Sequence, residues 1–224
     1  MATTGSNPAS SRRTFLAGTT VAAAAVTTAS PAALTAGVWA GGSDRLRVGL
    51  VGAGGRGTGA AEQALNADPG TELVAIADVF EDAVGRARRQ LGRIFNKDGQ
   101  PARVTADDAH CVAGFDGYLK VIESSDVVLL ASTPHFRPQH LRAAVEAGKH
   151  VLCEKPLAVG FKDAQAMFAA ARKARVKLAE AYPYMAQPQT LKMNALLAEG
   201  AIGSVQTVSA AFGFGLVTPD GLPV

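Results

Sequence analysis

The chain has 224 residues, enough for one large domain or two small ones. Hydrophobic residues make up 48% of it and aromatic residues only 6%, which suits close-packed layers of helices and strands. The formal charge is +3, but without Arg12 and Arg13, which lie in a predicted leader, 20 basic residues face 19 acidic ones. Because no basic stripe with interleaved aromatic residues is present, the composition argues against nucleic acid as a partner.

Residues 1–40 have the pattern of an export signal rather than of a folded domain. The run Ser11-Arg12-Arg13-Thr14-Phe15-Leu16 matches the twin-arginine motif, and an alanine-rich apolar segment follows over residues 17–29. That segment is too short and too weakly apolar for a good membrane span. We therefore expect export to the periplasm by the twin-arginine machinery, with cleavage at a small residue such as Ala40. The alternatives are an uncleaved anchor in the inner membrane and a disordered tail.

The export route bears on the cofactor and on the cysteines. Twin-arginine export carries proteins that have already folded, so a nucleotide loaded in the cytoplasm would travel inside the protein. Cys111 and Cys153 are the only cysteines, and folding before export does not imply a disulfide between them. Cys153 stands at the end of a predicted strand, where we expect a buried thiol.

The first predicted strand, residues 46–51, runs into a glycine-rich turn and then a helix that begins near Thr58. Gly52, Gly54 and Gly57 fit the pattern G-x-G-x-x-G. In a dinucleotide site the first glycine permits the tight turn, the second lets a pyrophosphate approach, and the third lets the helix pack against the strand. The apolar strand before the loop favours this interpretation over a plain structural turn.

A second apolar run, residues 72–77, ends in Asp78, which stands 21 residues after Gly57. An acid at this spacing binds the ribose hydroxyls of a dinucleotide and repels a 2′-phosphate, so NAD is favoured over NADP. Arg86, Arg88 and Arg89 follow in a predicted helix and keep NADP as the alternative.

Beyond Asp78 the chain continues to alternate helices with apolar strands. Val84, Ala87 and Leu91 share one face of the next helix, whereas residues 96–117 are polar and broken and receive no assignment. This alternation predicts an α/β fold with a doubly wound parallel sheet over residues 44–181. The other predicted elements are helices over 118–123 and up to Glu146, a helix that carries Ala164, Met167, Phe168 and Ala171, and strands over 126–131, 150–153 and 176–181.

The character of the sequence changes at residue 182. Pro188 opens a predicted helix that ends at Gly200, and residues 205–212 predict the first strand of another sheet. Because a single strand cannot form a domain by itself, we expect residues 182–224 to be the truncated start of an α+β domain.

Ligands of doubly wound sheets lie beyond the carboxyl ends of the strands, and three predicted loops meet there. They are the glycine loop, residues 132–135 and residues 154–156. From this edge Lys155, partly buried beside a cationic nicotinamide ring, could exchange a proton with an alcohol. The alternative is a surface lysine–glutamate pair that caps the loop.

The run Ala147-Gly148-Lys149-His150-Val151-Leu152-Cys153-Glu154-Lys155-Pro156-Leu157-Ala158 closely resembles the signature of the Gfo/Idh/MocA oxidoreductases. That family includes glucose–fructose oxidoreductase and inositol dehydrogenase. The resemblance extends to the glycine loop, Asp78, Thr133-Pro134 and residues 200–203, and it covers nearly all of residues 44–215.

The resemblance implies a Rossmann domain followed by a larger open-sheet domain, through which family members usually associate as homo-oligomers. It implies that Lys155 acts in proton transfer while a hydride passes between a sugar or polyol carbon and the nicotinamide. The cofactor-binding residues that we predict are Gly52, Gly54, Gly55, Arg56, Gly57, Asp78, Thr133, Pro134, His135, Glu154, Lys155 and Pro156.

The chain departs from the family in the loop after the sixth strand, where residues 182–188 lack the usual arginine. Tyr182 and Tyr184 in this loop are the candidate substrate residues beside Lys155, with packing as the alternative for each tyrosine. The family's catalytic histidine falls beyond residue 224, so we expect these residues alone to be inactive. No cluster of cysteine, histidine and aspartate has metal-ligand spacing.

Two other functions fit the same resemblance. One is an NAD-using glycoside hydrolase, which oxidises a sugar transiently to eliminate an aglycone, and the other is a non-enzymatic sugar sensor. The intact Glu154-Lys155-Pro156 triplet favours the plain oxidoreductase, because the hydrolases tend to vary it. Net NADH turnover separates the oxidoreductase from both alternatives, and aglycone release separates the hydrolase from the sensor.

Overall fold

A computed structural model describes residues 45–211 and residue 213. In this part of the chain, strands and helices alternate, with one long connection over residues 96–110. The elements are β1 Leu46–Val51, α1 Gly55–Ala67, β2 Thr71–Asp78, α2 Glu81–Phe95, β3 Cys111–Ala113, α3 Gly117–Ser124, β4 Val127–Leu130, α4 Arg137–Glu146, β5 His150–Glu154, α5 Phe161–Ala174, β6 Leu178–Ala181 and α6 Pro188–Ala198.

The described strands form one parallel sheet in the order β3-β2-β1-β4-β5-β6. The chain winds outward from β1 through β2 to β3, then returns to β4 on the other side of β1. The strand order therefore reverses between β1 and β4, where Val51 pairs with Leu130, and this reversal opens a crevice at the carboxyl edge. The predicted doubly wound parallel sheet is confirmed.

Helices cover both faces of the sheet, which explains why its strands read as continuous apolar runs. On one face, α1 and α2 bury Leu65 and Leu91 against strand residues such as Leu50. On the other face, α3, α4 and α5 bury Val121, Leu141 and Met167 among others against the opposite side of the same strands.

Two local predictions need correction. Helix α1 begins at Gly55 rather than near Thr58, because glycine has low helix propensity and hides the first turn in the sequence. The unassigned residues 96–117 contain β3, whose three residues are too few to show a period. Hydrogen bonds to the Asn96 side chain hold this segment in place. Asn96 Nδ2 donates to the Val104 carbonyl oxygen at 2.8 Å, and Asn96 Oδ1 accepts from the N–H groups of Arg103 and Val104 at 2.9 Å.

Contacts divide the chain after Ala181 into two units, and the second is described by itself. It contains a 3₁₀ turn over Pro183–Ala186 and helix α6. Helix α6 begins at Pro188, as predicted, and ends at Ala198, two residues before the predicted end at Gly200. The strand predicted over residues 205–212 is wrong for residues 205–211, which are irregular; a strand requires a hydrogen-bonded neighbour, and these residues have none in the described chain.

Some predictions fall on residues outside the described part. These are the leader over residues 1–40, the end of the predicted strand at Phe212, and the end of the predicted α+β domain start over residues 214–224. Within residues 45–211, no helix is both long enough and apolar enough to cross a bilayer.

Candidate active site

The glycine loop joins β1 to α1 at the carboxyl edge of the sheet. Gly52 has a φ of +94°, and its amide donates to the Ala77 carbonyl oxygen at 2.8 Å. A Cβ at Gly52 would lie 2.5 Å from the Ser132 nitrogen, and one at Gly57 would lie 1.7 Å from the Gly52 carbonyl oxygen. The structure thus agrees with the tight turn predicted at Gly52 and the close helix–strand packing predicted at Gly57.

Gly54 and Gly55 face open space instead. A Cβ at either position would meet no atom within 4 Å, and no side chain caps α1. The first-turn amides of α1 are therefore available to a ligand, and the helix dipole favours an anion there. This cradle fits the pyrophosphate of a dinucleotide, which a side chain at Gly54 would obstruct.

Asp78 ends β2 beside the glycine loop. One of its carboxylate oxygens accepts from the Ala53 N–H at 2.6 Å, and the other accepts from the Phe80 N–H at 3.0 Å. These bonds fix the carboxylate next to the cradle, where it can accept from ribose hydroxyls and repel a 2′-phosphate. Its contact with a cofactor stays a prediction.

The arginines that kept NADP as an alternative are partly engaged elsewhere. Arg86 pairs with Asp82 one turn earlier in α2, and Arg88 pairs with Asp108. The hydrogen bond from Arg88 to Asp108 raises the pKa of the Arg88 guanidinium. Two of the three candidate phosphate ligands are therefore bound to carboxylates.

An ion pair connects the glycine loop to the end of β5. Arg56 Nε donates to Glu154 Oε1 at 2.6 Å, and the same guanidinium donates to Gln63 at 3.2 Å. Glu154 is buried whereas Arg56 is about half-exposed, so the cation compensates a carboxylate that would otherwise be buried alone. The pair brings two predicted cofactor-binding residues together and holds the β1 and β5 loops on either side of β4.

Lys155 follows β5 directly, at the same edge of the sheet. Its side chain is exposed, and no hydrogen bond or ion pair among the described residues involves it. The predicted partial burial of Lys155 is therefore not seen among residues 45–181. The Lys155–Pro156 peptide bond is cis, and the Leu157 N–H donates to Glu180 Oε1 at 3.0 Å.

Arg137, which the sequence reasoning missed, contacts two of the site loops. Its Nε donates to the Ser132 carbonyl oxygen at 2.7 Å, and its Nη1 donates to the carbonyl oxygens of Glu154, at 2.5 Å, and Pro156. One signal was available in the sequence: Arg137 stands four residues before Leu141 on the apolar face of α4, where a charged residue needs a specific reason.

The loop after β4 contains Thr133 and His135, which are exposed, and Pro134, which is partly buried. The His135 ring meets the Phe136 ring edge-on at 5.2 Å between centroids. All three residues lie at the carboxyl edge, as predicted, and their contacts with a cofactor stay predictions.

His140 lies behind this loop in the core. Its Nδ1 is 3.1 Å from Ser132 Oγ, and its ring stacks on Tyr118 at 4.3 Å between centroids. Burial lowers the pKa of His140 from 6.5 to about 4, so the imidazole is neutral at pH 7. His140 therefore supports the site loop from the core through its contact with Ser132.

Stability is expected to fall on mild acidification because of His140. Below pH 6.5 the imidazole of His140 takes up a proton in the unfolded chain, whereas in the folded chain it stays neutral until about pH 4. The neutral, buried His140 therefore contributes fully to the free energy of unfolding above pH 6.5, and this contribution is lost as the pH falls. The loss reaches up to about 3 kcal/mol near pH 4. Urea unfolding between pH 7 and 5 measures it. His140→Gln should make the pH slope shallower, and an unchanged slope in this variant would contradict the assignment to His140.

The candidate substrate tyrosines belong to the second unit. Tyr182 and Tyr184 flank the start of the 3₁₀ turn, are about half-exposed, and meet edge-on at 5.8 Å between ring centroids. Their role toward a substrate stays a prediction.

Cysteine and metal chemistry add little to the site. Cys153 is fully buried in β5, and burial raises the pKa of its thiol to about 12, so the predicted buried thiol is confirmed. Among residues 45–211, no group of three histidine, cysteine, aspartate or glutamate side chains is placed to hold a metal ion.

The fold, the glycine loop and the acid at the end of β2 define a dinucleotide-binding protein of the Rossmann class. Residues 46–182 match the sequence profile of the oxidoreductase family with an NAD-binding Rossmann fold, Gfo/Idh/MocA. Because the match covers more than half of the chain, the chain belongs to that family. The resemblance carried by the run around Lys155 is thereby confirmed.

Two similar proteins are named for sugar substrates. The chain is 31% identical over 169 residues to the dTDP-3,4-didehydro-2,6-dideoxy-alpha-D-glucose 3-reductase of Actinomadura kijaniata, covering 75% of this chain and 45% of that protein. It is 30% identical over 154 residues to the D-xylose 1-dehydrogenase (NADP(+)) 2 of Haloferax volcanii, covering 68% and 46%. The chain therefore spans less than half the length of these relatives.

Solved structures agree with this assignment. An NAD binding oxidoreductase from Klebsiella pneumoniae superposes with a TM-score of 0.56 at 32% identity, over 71% of this chain and 40% of that one. The 3-ketoreductase KijD10 from Actinomadura kijaniata, solved with NADP, gives 0.54 at 30% identity, over 71% and 45%.

Proposed function

We propose that the complete protein is an NAD-dependent oxidoreductase that moves a hydride between the nicotinamide and a CH–OH carbon of a sugar or polyol. The observation that carries this proposal is the placement of Lys155 at the crevice edge, beside the Arg56–Glu154 pair that ties its loop to the glycine loop. An exposed lysine at a cofactor crevice, rather than in a solvated surface pair, is suited to proton transfer.

Different residues of the chain bind the cofactor and transfer the proton. The first-turn amides of α1 and the open space at Gly54 hold the pyrophosphate, and Asp78 accepts from the ribose hydroxyls. When bound, NAD supplies the hydride acceptor. As a substrate alcohol becomes a carbonyl, its hydride leaves with the electron pair, and Lys155 in its neutral form takes the hydroxyl proton.

Asp78 supports NAD over NADP, although KijD10 was solved with NADP and the Haloferax volcanii relative is named for NADP(+). Asp78→Ser is expected to shift the ratio of NADP to NAD affinity by about tenfold or more toward NADP, because the charge that repels a 2′-phosphate is gone. Calorimetric titration with each nucleotide measures the ratio. Loosening of the loop at Ala53 would weaken both nucleotides alike, so an unchanged ratio would contradict the assignment of Asp78.

The substrate class rests on the relatives. The Actinomadura kijaniata enzyme is named for a deoxysugar nucleotide and the Haloferax volcanii enzyme for xylose, so a sugar or polyol is the substrate that we propose. The test has two steps on the complete protein. Bound nucleotide is first released by denaturation and identified, and NADH formation is then followed with a panel of sugars and polyols.

The outcomes of this test separate the candidate functions. Net NADH formation supports the oxidoreductase. Release of an aglycone from aryl glycosides without net NADH would favour the glycoside hydrolase, and sugar binding without either reaction would favour a sensor.

Export through the twin-arginine machinery to the periplasm, and a homo-oligomer in the complete protein, are part of the same proposal. The first rests on the run around Arg12 and Arg13, and the second on the family resemblance. Cell fractionation of the complete protein and of an Arg12→Lys, Arg13→Lys variant tests the first. Light scattering of the mature protein tests the second.

A further inference from the structure

Arg137 is a buried cation that contacts two loops of the candidate site. Its Nε donates to the Ser132 carbonyl oxygen at 2.7 Å, at the end of β4. Its Nη1 donates to the carbonyl oxygen of Glu154 at 2.5 Å and to that of Pro156. The last two acceptors are the backbone groups directly before and after Lys155. One guanidinium therefore fixes the backbone on both sides of this lysine.

Packing alone does not explain an arginine at this position. The residue is 5% exposed, and none of the ion pairs of the described residues includes it. A buried charge is costly unless hydrogen bonds satisfy it. Leu141 and Ala144, on the same face of α4, show that apolar side chains fill this layer. What the arginine adds is the set of bonds to the two loops.

We propose that Arg137 is a positioning residue for Lys155, which sets the backbone path of residues 154–156 and so directs the lysine amine toward the cofactor crevice. The inference rests on the proposed role of Lys155 in proton transfer. Glu180 already holds the far end of the loop through the Leu157 N–H. The planar guanidinium of Arg137 donates to the two loops from different nitrogens, Nε and Nη1, whereas a lysine must reach both loops from one nitrogen.

The test compares Arg137→Lys with the unchanged complete protein, without cofactor, after ¹³C-methylation of the lysines. Because Arg137→Lys keeps the charge, a change at Lys155 reports its position rather than a lost cation. We expect the Lys155 methyl resonance to shift or broaden, while those of Lys149 and Lys177 stay in place. Lys155→Ala identifies the resonance. In the sugar or polyol assay, kcat should fall about tenfold or more with NADH affinity within about twofold.

Val145→Ala is the matched structural control, since Val145 is also buried on α4 but contacts neither loop through hydrogen bonds. It should lose stability and leave the Lys155 resonance and kcat unchanged. The positioning role is overturned if Arg137→Lys shows this same pattern. Arg137→Gln is the second variant, and failure of both Arg137 variants to fold while Val145→Ala folds would assign the arginine to stability alone.

Different results would refute the proposed role of Lys155 and the positioning role of Arg137. A normal rate in Lys155→Ala would refute proton transfer by Lys155, whatever the resonance shows. A slow Lys155→Ala enzyme combined with an unmoved resonance in Arg137→Lys would refute the positioning role alone.

Discussion

Gly57→Ala is expected to lower the free energy of unfolding by about 3 kcal/mol or more, a large fraction of a domain's total stability. The added methyl would lie 1.7 Å from the Gly52 carbonyl oxygen, and neither atom belongs to a side chain that can rotate away. Helix α1 must therefore move off β1, together with the amides proposed to bind the pyrophosphate. We expect NADH binding to be lost as well, and urea unfolding and NADH fluorescence measure the two effects.

Two neighbouring glycines provide the controls. Gly55→Ala adds a methyl in open space inside α1, where alanine favours the helix, so stability should hold or rise slightly. Gly54→Ala should also fold normally, because its φ of −68° suits alanine, but should weaken NADH binding by about tenfold or more by filling the cradle. Equal losses of stability in Gly55→Ala and Gly57→Ala would contradict the close packing at Gly57.

The sheet was predictable because its strands are buried on both faces. Neighbouring residues of one strand, such as Leu129 and Leu130, enter the cores on opposite faces, so both faces need a covering layer. A helix between successive strands supplies that layer and the crossover that makes the strands parallel. Strand β3 could not be predicted in the same way, because it has three residues and its neighbourhood is fixed by Asn96 and Arg103 through bonds to distant backbone groups. These acceptors are backbone carbonyl oxygens, which the sequence around β3 does not reveal.

The candidate site divides along similar lines. Gly52 and Gly57 were predictable because each meets a backbone requirement that few residue types satisfy. Asp78 was predicted from its spacing after the glycine loop, and its contact with the ribose stays a prediction. The Arg56–Glu154 pair joins residues 98 positions apart, and only the sheet order brings them together. Arg137 was missed because its three acceptors are backbone carbonyls, which have no residue type to recognise.

Lys155→Ala in the complete protein is expected to slow sugar or polyol oxidation by about 10²–10⁴-fold, the usual contribution of a general acid–base group. NADH affinity should stay within about twofold, and stability should change little, because Lys155 is exposed and makes no hydrogen bond among the described residues. Steady-state kinetics with NAD and NADH titration measure the two quantities. Lys162→Ala, at another exposed lysine in the first turn of α5, is the matched control and should keep full activity.

Lys155→Arg separates the two ways in which a lysine can act at this edge. Arginine keeps the positive charge but does not give up its proton, so it can stabilise a developing alkoxide and cannot accept the hydroxyl proton. If Lys155 transfers a proton, Lys155→Arg should be nearly as slow as Lys155→Ala. A Lys155→Arg enzyme with most of the normal rate would show that only the charge matters, and an active Lys155→Ala would place the proton acceptor elsewhere.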